Sequence, residues 1–287
     1  MKKLLIVISL ISFFKVNAQE TIYYFSEQDS GGRDIYSMDM KTGKRQKLSR
    51  KLGRGHYPHF INPKLSPDGK KLVFQCDSDG HDRYAIWTMN VDGAGLTRIT
   101  QEEGMYPNWS PDGKTVIFSG RRKGVWEILT VPATGGKERN LTNNAQNGKR
   151  PGWGATSSFH PNGESFVFSY IREKVLYTYN LKSGSISRLT REGSYTHPIY
   201  SGDGSAILVN RKIGDAYDLV IIKNGKEEVI CKSILSYSAP DWYDNDSKLL
   251  FTGLVNGVQQ LFSIDLNTRE ETQLTNNRDF DGGPLGF

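Results

Sequence analysis

Three of the five histidines stand beside prolines and tyrosines, in His56-Tyr57-Pro58-His59 and Tyr195-Thr196-His197-Pro198. Imidazoles move protons near neutral pH or bind metals. Tyr106 precedes Pro107, Arg150 precedes Pro151, and Asp241 follows Pro240. Arginine with a histidine or tyrosine base is the set a lyase needs. The cation neutralises a uronate carboxylate while the base removes the adjacent proton. In that chemistry Arg150 is the neutraliser, and His197, Tyr106 or His59 the base. As metal ligands these residues are poor: His56 and His59 are three apart in a loop, and a zinc centre wants three or four converging groups. They read as surface histidines, and no metal or cofactor is called for. His81 and His160 read as structural. The candidate ligand-binding set is therefore His56, Tyr57, His59, Tyr106, Arg150, Tyr195, His197 and Asp241, with no residue assigned as catalytic.

The elements that must position this set form a repeat. A turn recurs as Ser66-Pro67-Asp68-Gly69, Ser110-Pro111-Asp112-Gly113, His160-Pro161-Asn162-Gly163, Ser201-Gly202-Asp203-Gly204 and a degenerate Asp244-Asn245-Asp246-Ser247. Proline presets φ, Asp or Asn bonds its own backbone, and glycine supplies positive φ. A proline with an aromatic two residues later also recurs, as Pro58/Phe60, Pro107/Trp109, Pro151/Trp153, Pro198/Tyr200 and Pro240/Trp242. Unit endings Leu48-Ser49, Ile99-Thr100, Leu141-Thr142, Leu189-Thr190, Ile230-Cys231 and Leu274-Thr275 follow one another at 51, 42, 48, 41 and 44 residues. Insertions are expected at Ile61–Lys64 and Gly154–Ser158, between anchor aromatic and turn.

Between anchors the apolar residues alternate with period two, as half-buried strands do. In the third unit this predicts strands at Tyr106–Ser110, Thr115–Ser119, Val125–Val131 and Lys137–Thr142. Four strands per unit of about 40–45 residues is the pattern of a propeller blade. Six endings predict an all-β, six-bladed propeller of four-stranded antiparallel blades. The first unit lacks its first strand, and Gly283-Pro284-Leu285-Gly286-Phe287 restates that strand at the other terminus. The C-terminal strand is expected to complete blade 1, which removes an open edge. The residues before the anchor prolines, Tyr57, Tyr106, Arg150, His197, Ala239 and Gly283, then share the face where ligands usually enter.

On these turns and anchors the sequence resembles the TolB-type propeller family, whose WD40-like PD40 repeat carries the proline-aromatic-Ser-Pro-Asp-Gly pattern. Ser66–Gly69 with Val73-Phe74 and Trp109–Gly113 with Ile117-Phe118 match best. The resemblance covers about residues 21–287 and implies a six-bladed propeller in the periplasm. TolB proper has an α/β domain ahead of its propeller, whereas these repeats start directly after an expected leader.

That leader is residues 1–19: basic Lys2 and Lys3, an apolar Leu4–Phe14, and Val16-Asn17-Ala18 before cleavage. The apolar run is shorter than the roughly 20 residues a membrane span needs. The domain organisation is thus a signal peptide, 1–19, and one propeller, 20–287, periplasmic or secreted and without a stable membrane span. Of the 37 Lys and Arg, three (Lys2, Lys3, Lys15) leave with the leader, so the balance against 31 Asp and Glu falls from +6 to +3. No basic stripe with interleaved aromatics marks a nucleic-acid binder. Cys76 and Cys231 fall in different units and are expected as two buried thiols. Loops of units three to five carry Arg121, Arg122, Lys123, Arg172, Lys174, Arg211 and Lys212, and those of units one and two carry Asp29, Asp34, Asp77, Asp79 and Asp82.

The sequence contains no GxSxG elbow, P-loop, HExxH or CxxC. Asp77-Ser78-Asp79-Gly80 opens like a calcium loop, but Thr88 stands where the twelfth-position Glu belongs. The reading is a monomeric, exported binding module that offers its channel face to a protein or acidic glycan partner. The alternative is a polysaccharide lyase acting on a uronate oligosaccharide.

Overall fold

The computed structural model describes residues 21–27, 31–50, 58–78, 80, 83–142, 155–170, 175–234 and 239–286. The expected leader, and His56, Tyr57 and Arg150, lie outside the described residues. The described residues form 24 strands in six four-stranded antiparallel sheets, with no helix. None of them forms a helix long and apolar enough to cross a membrane.

Blade 1 has the order Phe280–Leu285, Thr21–Glu27, Arg33–Asp39, Arg45–Lys47, with Tyr23 paired to Leu285 and Glu27 to Phe280. The C-terminal strand thus completes the first blade, as expected. Blade 3 runs Gly104–Trp109, Thr115–Arg122, Val125–Pro132 and Arg139–Asn140, so its second strand is longer and its outer strand shorter than the sequence pattern suggested. In blades 2 to 6 the N-terminal strand is the inner one, and in blade 1 Phe280–Leu285 takes that place; neighbouring inner strands contact one another around the channel.

Period-two alternation builds the core between blades. In the second strand of blade 2, Leu72 and Phe74 face blade 1 with Tyr23 and Ile35, while Val73 faces blade 3 with Trp109, Val116 and Phe118. This follows from side chains alternating across a strand. Six such apolar clusters form a ring, closed where Ile22, Tyr24 and Tyr36 of blade 1 meet Tyr243, Leu250 and Leu261 of blade 6.

The repeated polar residues satisfy backbone groups that such a ring would otherwise strand. In the turn, the Ser66 hydroxyl donates to Asp68 Oδ1 at 2.6 Å and accepts from the Lys71 N–H at 2.9 Å. Ser110 with Asp112 and Ser201 with Asp203 repeat this. The Ser66 and Ser110 hydroxyls, helped by backbone N–H groups, lower the Asp68 and Asp112 pKa values. The Asp203 carboxyl, bonded first by the Ser205 N–H, falls to about 2. At unit endings, Ser49, Thr100, Thr142, Thr190 and Thr275 each accept the backbone N–H fourteen residues earlier, of Ile35, Ile86, Ile128, Leu176 and Leu261, at 2.9–3.1 Å.

Blade 5 departs from this. Its outer strand continues over nine residues, Lys226–Ile234, and the Cys231 thiol turns to the Lys232 carbonyl and to Glu271. Cys76 is buried as expected, but Cys231 is only half-buried, beside Glu271. Burial, with Glu271 close by, pushes the Cys231 thiol up to about 12.

Two anchors also differ from their expected places. Ile61–Lys64 is no insertion but part of the inner strand of blade 2, Phe60–Leu65, so Pro63 and Leu65 fill the places of Pro107 and Trp109. In blade 4 the inner strand is Ser157–Phe159, overlapping the end of the expected insertion, and Ser157 stands where other blades have proline. Pro151 and Trp153 lie outside the described residues.

Candidate functional site

The inner strands break their ladders at the same point. Pairing registers slip between Ile61 and Lys64, between Met105 and Asn108, and between Thr196 and Ile199. The pairing of the C-terminal strand with blade 1 slips likewise. Each slip spans an X-Pro step: Asn62-Pro63, Tyr106-Pro107, His197-Pro198 and Gly283-Pro284. Proline has no N–H for the ladder, which favours a bulge. The preceding residue takes φ of 54° at Asn62, 53° at Tyr106, 54° at His197 and 56° at Gly283. Glycine accepts this conformation freely and Asn tolerates it, but for Tyr and His it is strained. The preceding blade supplies a bond to each strained N–H. The Tyr106 N–H donates to Gln75 Oε1 at 2.7 Å, and the His197 N–H to Thr156 Oγ1 at 2.8 Å.

These bulges line the channel. The Tyr106 and His197 rings meet edge to face at 5.7 Å. Asn62, Tyr106, Thr156, Ser157, His197 and Ala239 surround a cavity of about 30 Å³. Below it Lys64 of blade 2 pairs with Asp241 of blade 6 at 2.7 Å. Asp241 also accepts the Trp242 N–H at 2.9 Å, as Asn108 accepts that of Trp109. Each tryptophan indole reaches the preceding blade: Trp109 Nε1 donates to the Lys64 carbonyl at 2.9 Å and Trp242 Nε1 to that of Ile199 at 3.1 Å. Past Lys64, Asn108 and Ile199 the channel opens on the Ser-Pro-Asp-Gly turn side into a mouth of about 310 Å³, lined from all six blades.

Electrostatics follow from this burial. His197 is half-buried, its ring partly open to the channel and otherwise packed against protein. Burial first, and the Lys64 charge second, lower its pKa to about 4. It is therefore neutral at pH 7. Burial raises the Tyr106 phenol.

Of the residues singled out in the sequence, Tyr106, His197 and Asp241 are thus brought to the channel. His59 and Tyr195 are not. The His59 N–H donates to Asp77 Oδ1 at 2.6 Å, and its ring Nε2 lies 3.2 Å from the Gly31 carbonyl oxygen, at the rim between blades 1 and 2. Tyr195 is buried between blades 4 and 5, its hydroxyl on Glu227, which also takes Arg211 at 2.6 Å. Burial raises the Tyr195 phenol, with Glu227 adding to it. The basic loops are partly spent as well: Arg122 pairs with Glu138 at 2.5 Å, and Arg211 with Asp218 at 2.9 Å. Arg172 and Lys174 lie outside the described residues.

Asn62, Lys64, Thr156 and Ser157 were missed as channel residues. The signal that finds them is a constant offset. The residue at the proline position stands three before the first turn residue in Pro63/Ser66, Pro107/Ser110, Ser157/His160 and Pro198/Ser201.

Comparison with known proteins agrees with this architecture. The family model described as the TolB beta propeller domain, PD40, matches residues 14–158, half of the chain. The chain belongs to this family. An uncharacterised protein of Agrobacterium fabrum, Atu1656, is 36% identical over 87 residues, covering 30% of this chain and 27% of that protein. The Tol-Pal system protein TolB of Francisella tularensis is 24% identical over 190 residues, covering 64% of this chain and 41% of that protein. The chain thus spans less than half the length of either relative. The crystal structure of TolB from Acinetobacter baumannii superposes with a TM-score of 0.78 at 20% identity, over 92% of this chain and 66% of that one, a likeness of fold.

Proposed function

We propose that this propeller is an exported binding module whose partner is a protein, engaged where the inner strands converge on the channel. In this reading residues 1–19 are a leader removed on export to the periplasm or beyond, and residues 20–287 act as one domain. Membership of the TolB propeller family and the Tol-Pal relative support a protein as the partner.

The observation that carries the choice of binding over catalysis is the place of the acid–base pair. Tyr106 and His197 meet in a cavity of about 30 Å³. A sugar-sized ligand needs roughly 300 Å³ or more. The mouth on the turn side has that room, but Lys64 and Asp241 face it as a closed ion pair and the Tyr106–His197 pair lies beyond them. His59, the other base considered for lyase chemistry, is held at the rim by Asp77 and Gly31.

Site-specific photocrosslinking in an exporting bacterium tests the reading. A photoreactive residue at Asn108, in the mouth, or at His59, on the opposite rim, should give a discrete protein adduct. One at Thr272, on the outer strand of blade 6, should not. Equal labelling at all three positions, or none, would overturn it. Incubation with a panel of uronate polymers gives the second arm. Absorbance of an unsaturated product that is lost in Arg150→Ala or His197→Ala would make the chain a lyase.

A further inference from the structure

Away from the channel, blades 2 and 3 enclose a cavity of about 450 Å³ on the face opposite the Ser-Pro-Asp-Gly turns. The hairpin tip of blade 3 brings Arg121 and Lys123 to it, the loop before the third strand of blade 2 brings Arg83, and the link between the blades brings Gln101, Glu102 and Glu103. The backbone of these walls is braced. Arg122 donates to the Glu103 and Arg121 carbonyls at 2.8 and 2.9 Å and pairs with Glu138. Arg98 donates to the Thr100 and Gln101 carbonyls, both at 2.6 Å. Lys123 and Gly124 hold φ of 51° and 80°, as a two-residue hairpin turn demands. The lining side chains, by contrast, are unspent. Hairpin arginines of other blades are paired, Arg33 with Glu27 and Arg211 with Asp218. Arg83, Arg121 and Lys123 have no carboxylate within ion-pair distance among the described residues, although Glu102 and Glu103 line the same cavity. Glu102 makes only a 3.9 Å contact, to Arg122.

We propose that this cavity binds an acidic oligosaccharide of the uronate class, with Arg83, Arg121 and Lys123 on its carboxylates and Glu102, Glu103 and Gln101 on its hydroxyls. Size admits it, since small-ligand sites run from roughly 300 to 1,000 Å³. Charge selects it next. Arg83, Arg98, Arg121 and Lys123 stand against two carboxylates, so the lining carries four cations to two anions. A guanidinium offers a carboxylate two parallel N–H bonds, which a neutral sugar leaves unmade. The two glutamates then decide between acidic ligands. Carboxylates only accept hydrogen bonds, so they suit hydroxyl groups and repel other anions. An acidic peptide or a polyphosphate meets that repulsion with no hydroxyls to offset it. A uronate carries carboxylate and hydroxyls on the same ring and matches both halves of the lining. The cavity is separate from the channel, so the inference does not depend on which protein the channel engages.

Isothermal titration with trigalacturonate tests it. Binding should saturate, weaken as salt rises and be absent with maltotriose, a neutral trisaccharide. Arg121→Ala combined with Lys123→Asn should weaken it at least tenfold. Neither side chain has a bonding partner to lose, and Asn tolerates the φ of Lys123, so the fold is kept. Lys137→Ala combined with Arg139→Ala, which removes two cations from a different groove of blade 3, should leave binding unchanged. Glu103→Ala supplies a test of sign. It removes a negative charge, yet it should weaken binding severalfold, because a hydroxyl acceptor goes with it. Absence of saturable binding, or equal loss in the two double variants, overturns the proposal. So does tighter binding in Glu103→Ala, or binding of a hexaglutamate peptide as tight as that of trigalacturonate, either of which would mark recognition of charge alone.

Discussion

The unit endings and the channel positions are both repeated around the ring, yet they repeat different things. At the endings the side chain repeats: a Ser or Thr hydroxyl accepts the same backbone N–H in blades 1, 2, 3, 4 and 6. At the channel the backbone repeats. Asn62, Tyr106, His197 and Gly283 share φ between 53° and 56° while their side chains have nothing in common. A buried N–H must be satisfied, so chemistry dictates the ending residue. A bulge beside proline dictates only φ and leaves the side chain free to face the channel. The scaffold is therefore written in residue identity, and the site in residue position.

If that division holds, substitutions in the scaffold should cost far more than those at the channel. The largest effect is expected at Trp109, which is buried between blades 2 and 3 and bonded to the Lys64 carbonyl. Trp109→Ala removes a large buried ring and should cost about 3–5 kcal/mol. Urea denaturation would measure it. A cost below about 1 kcal/mol would mean that the inter-blade cluster is not what holds the ring.

The channel contributes one effect of intermediate size, through pH. His197 has its pKa lowered to about 4 from 6.5, with Lys64 of blade 2 and Tyr106 of blade 3 facing it and Asp241 of blade 6 paired to that lysine. Between these values the unfolded chain binds the extra proton, so stability rises with pH. It should therefore fall as pH drops from about 6.5 to about 4, by at most about 1.4 kcal/mol per pH unit for one proton. Carboxylates also titrate in this window, so the readout is a difference. The denaturation midpoint of His197→Asn should fall less steeply with acid than that of the wild type. Parallel slopes would place the His197 ring in water.

How far each region could be read in the sequence follows from the same division. The six blades, the closing C-terminal strand and the Ser/Thr endings were legible because each rests on a residue type. Channel residues were legible only where a single proline marked the bulge, as at Tyr106 and His197. In blade 2, Pro58-x-Phe60 has the aromatic, but Pro63-x-Leu65 fills the place, because an aliphatic side chain packs there as well. In blade 4 no proline marks the inner strand, and Thr156 and Ser157 carry no type signal. Tyr195 and His59 misled for the opposite reason. Both are polar aromatic residues near the right strand, but their hydrogen bonds turn them to Glu227 and to the Gly31 carbonyl.

A smaller scaffold effect is expected at an ending. Thr142 is fully buried, accepts the Ile128 N–H at 3.0 Å and donates to Glu127. Thr142→Val keeps the shape and leaves the Ile128 N–H without its acceptor, which should cost about 1–3 kcal/mol. Native-state hydrogen exchange should show the loss locally, with the Ile128 amide exchanging faster while amides of blade 6 keep their protection. Uniform acceleration would mean that blades do not open separately.

The smallest effect is the sharpest test, because it separates position from identity at one residue. Tyr106 holds φ 53° and touches His197 edge to face. Tyr106→Gly loses that contact, roughly 0.5–1.5 kcal/mol beyond the burial of the ring itself. It also relieves a left-handed conformation that costs an L residue about 1–2 kcal/mol. The strain relief offsets only part of this loss, so the glycine variant should be less destabilised than removal of the ring alone implies. Tyr106→Ala loses the same ring but keeps the strain, and should be less stable than the glycine variant by about 1 kcal/mol. That ordering is opposite to the usual preference for Ala over Gly, and it requires a rigid bulge. If Ala proved the more stable of the two, the inner strand would be relaxing its φ, and the backbone would not be the repeated feature of the channel.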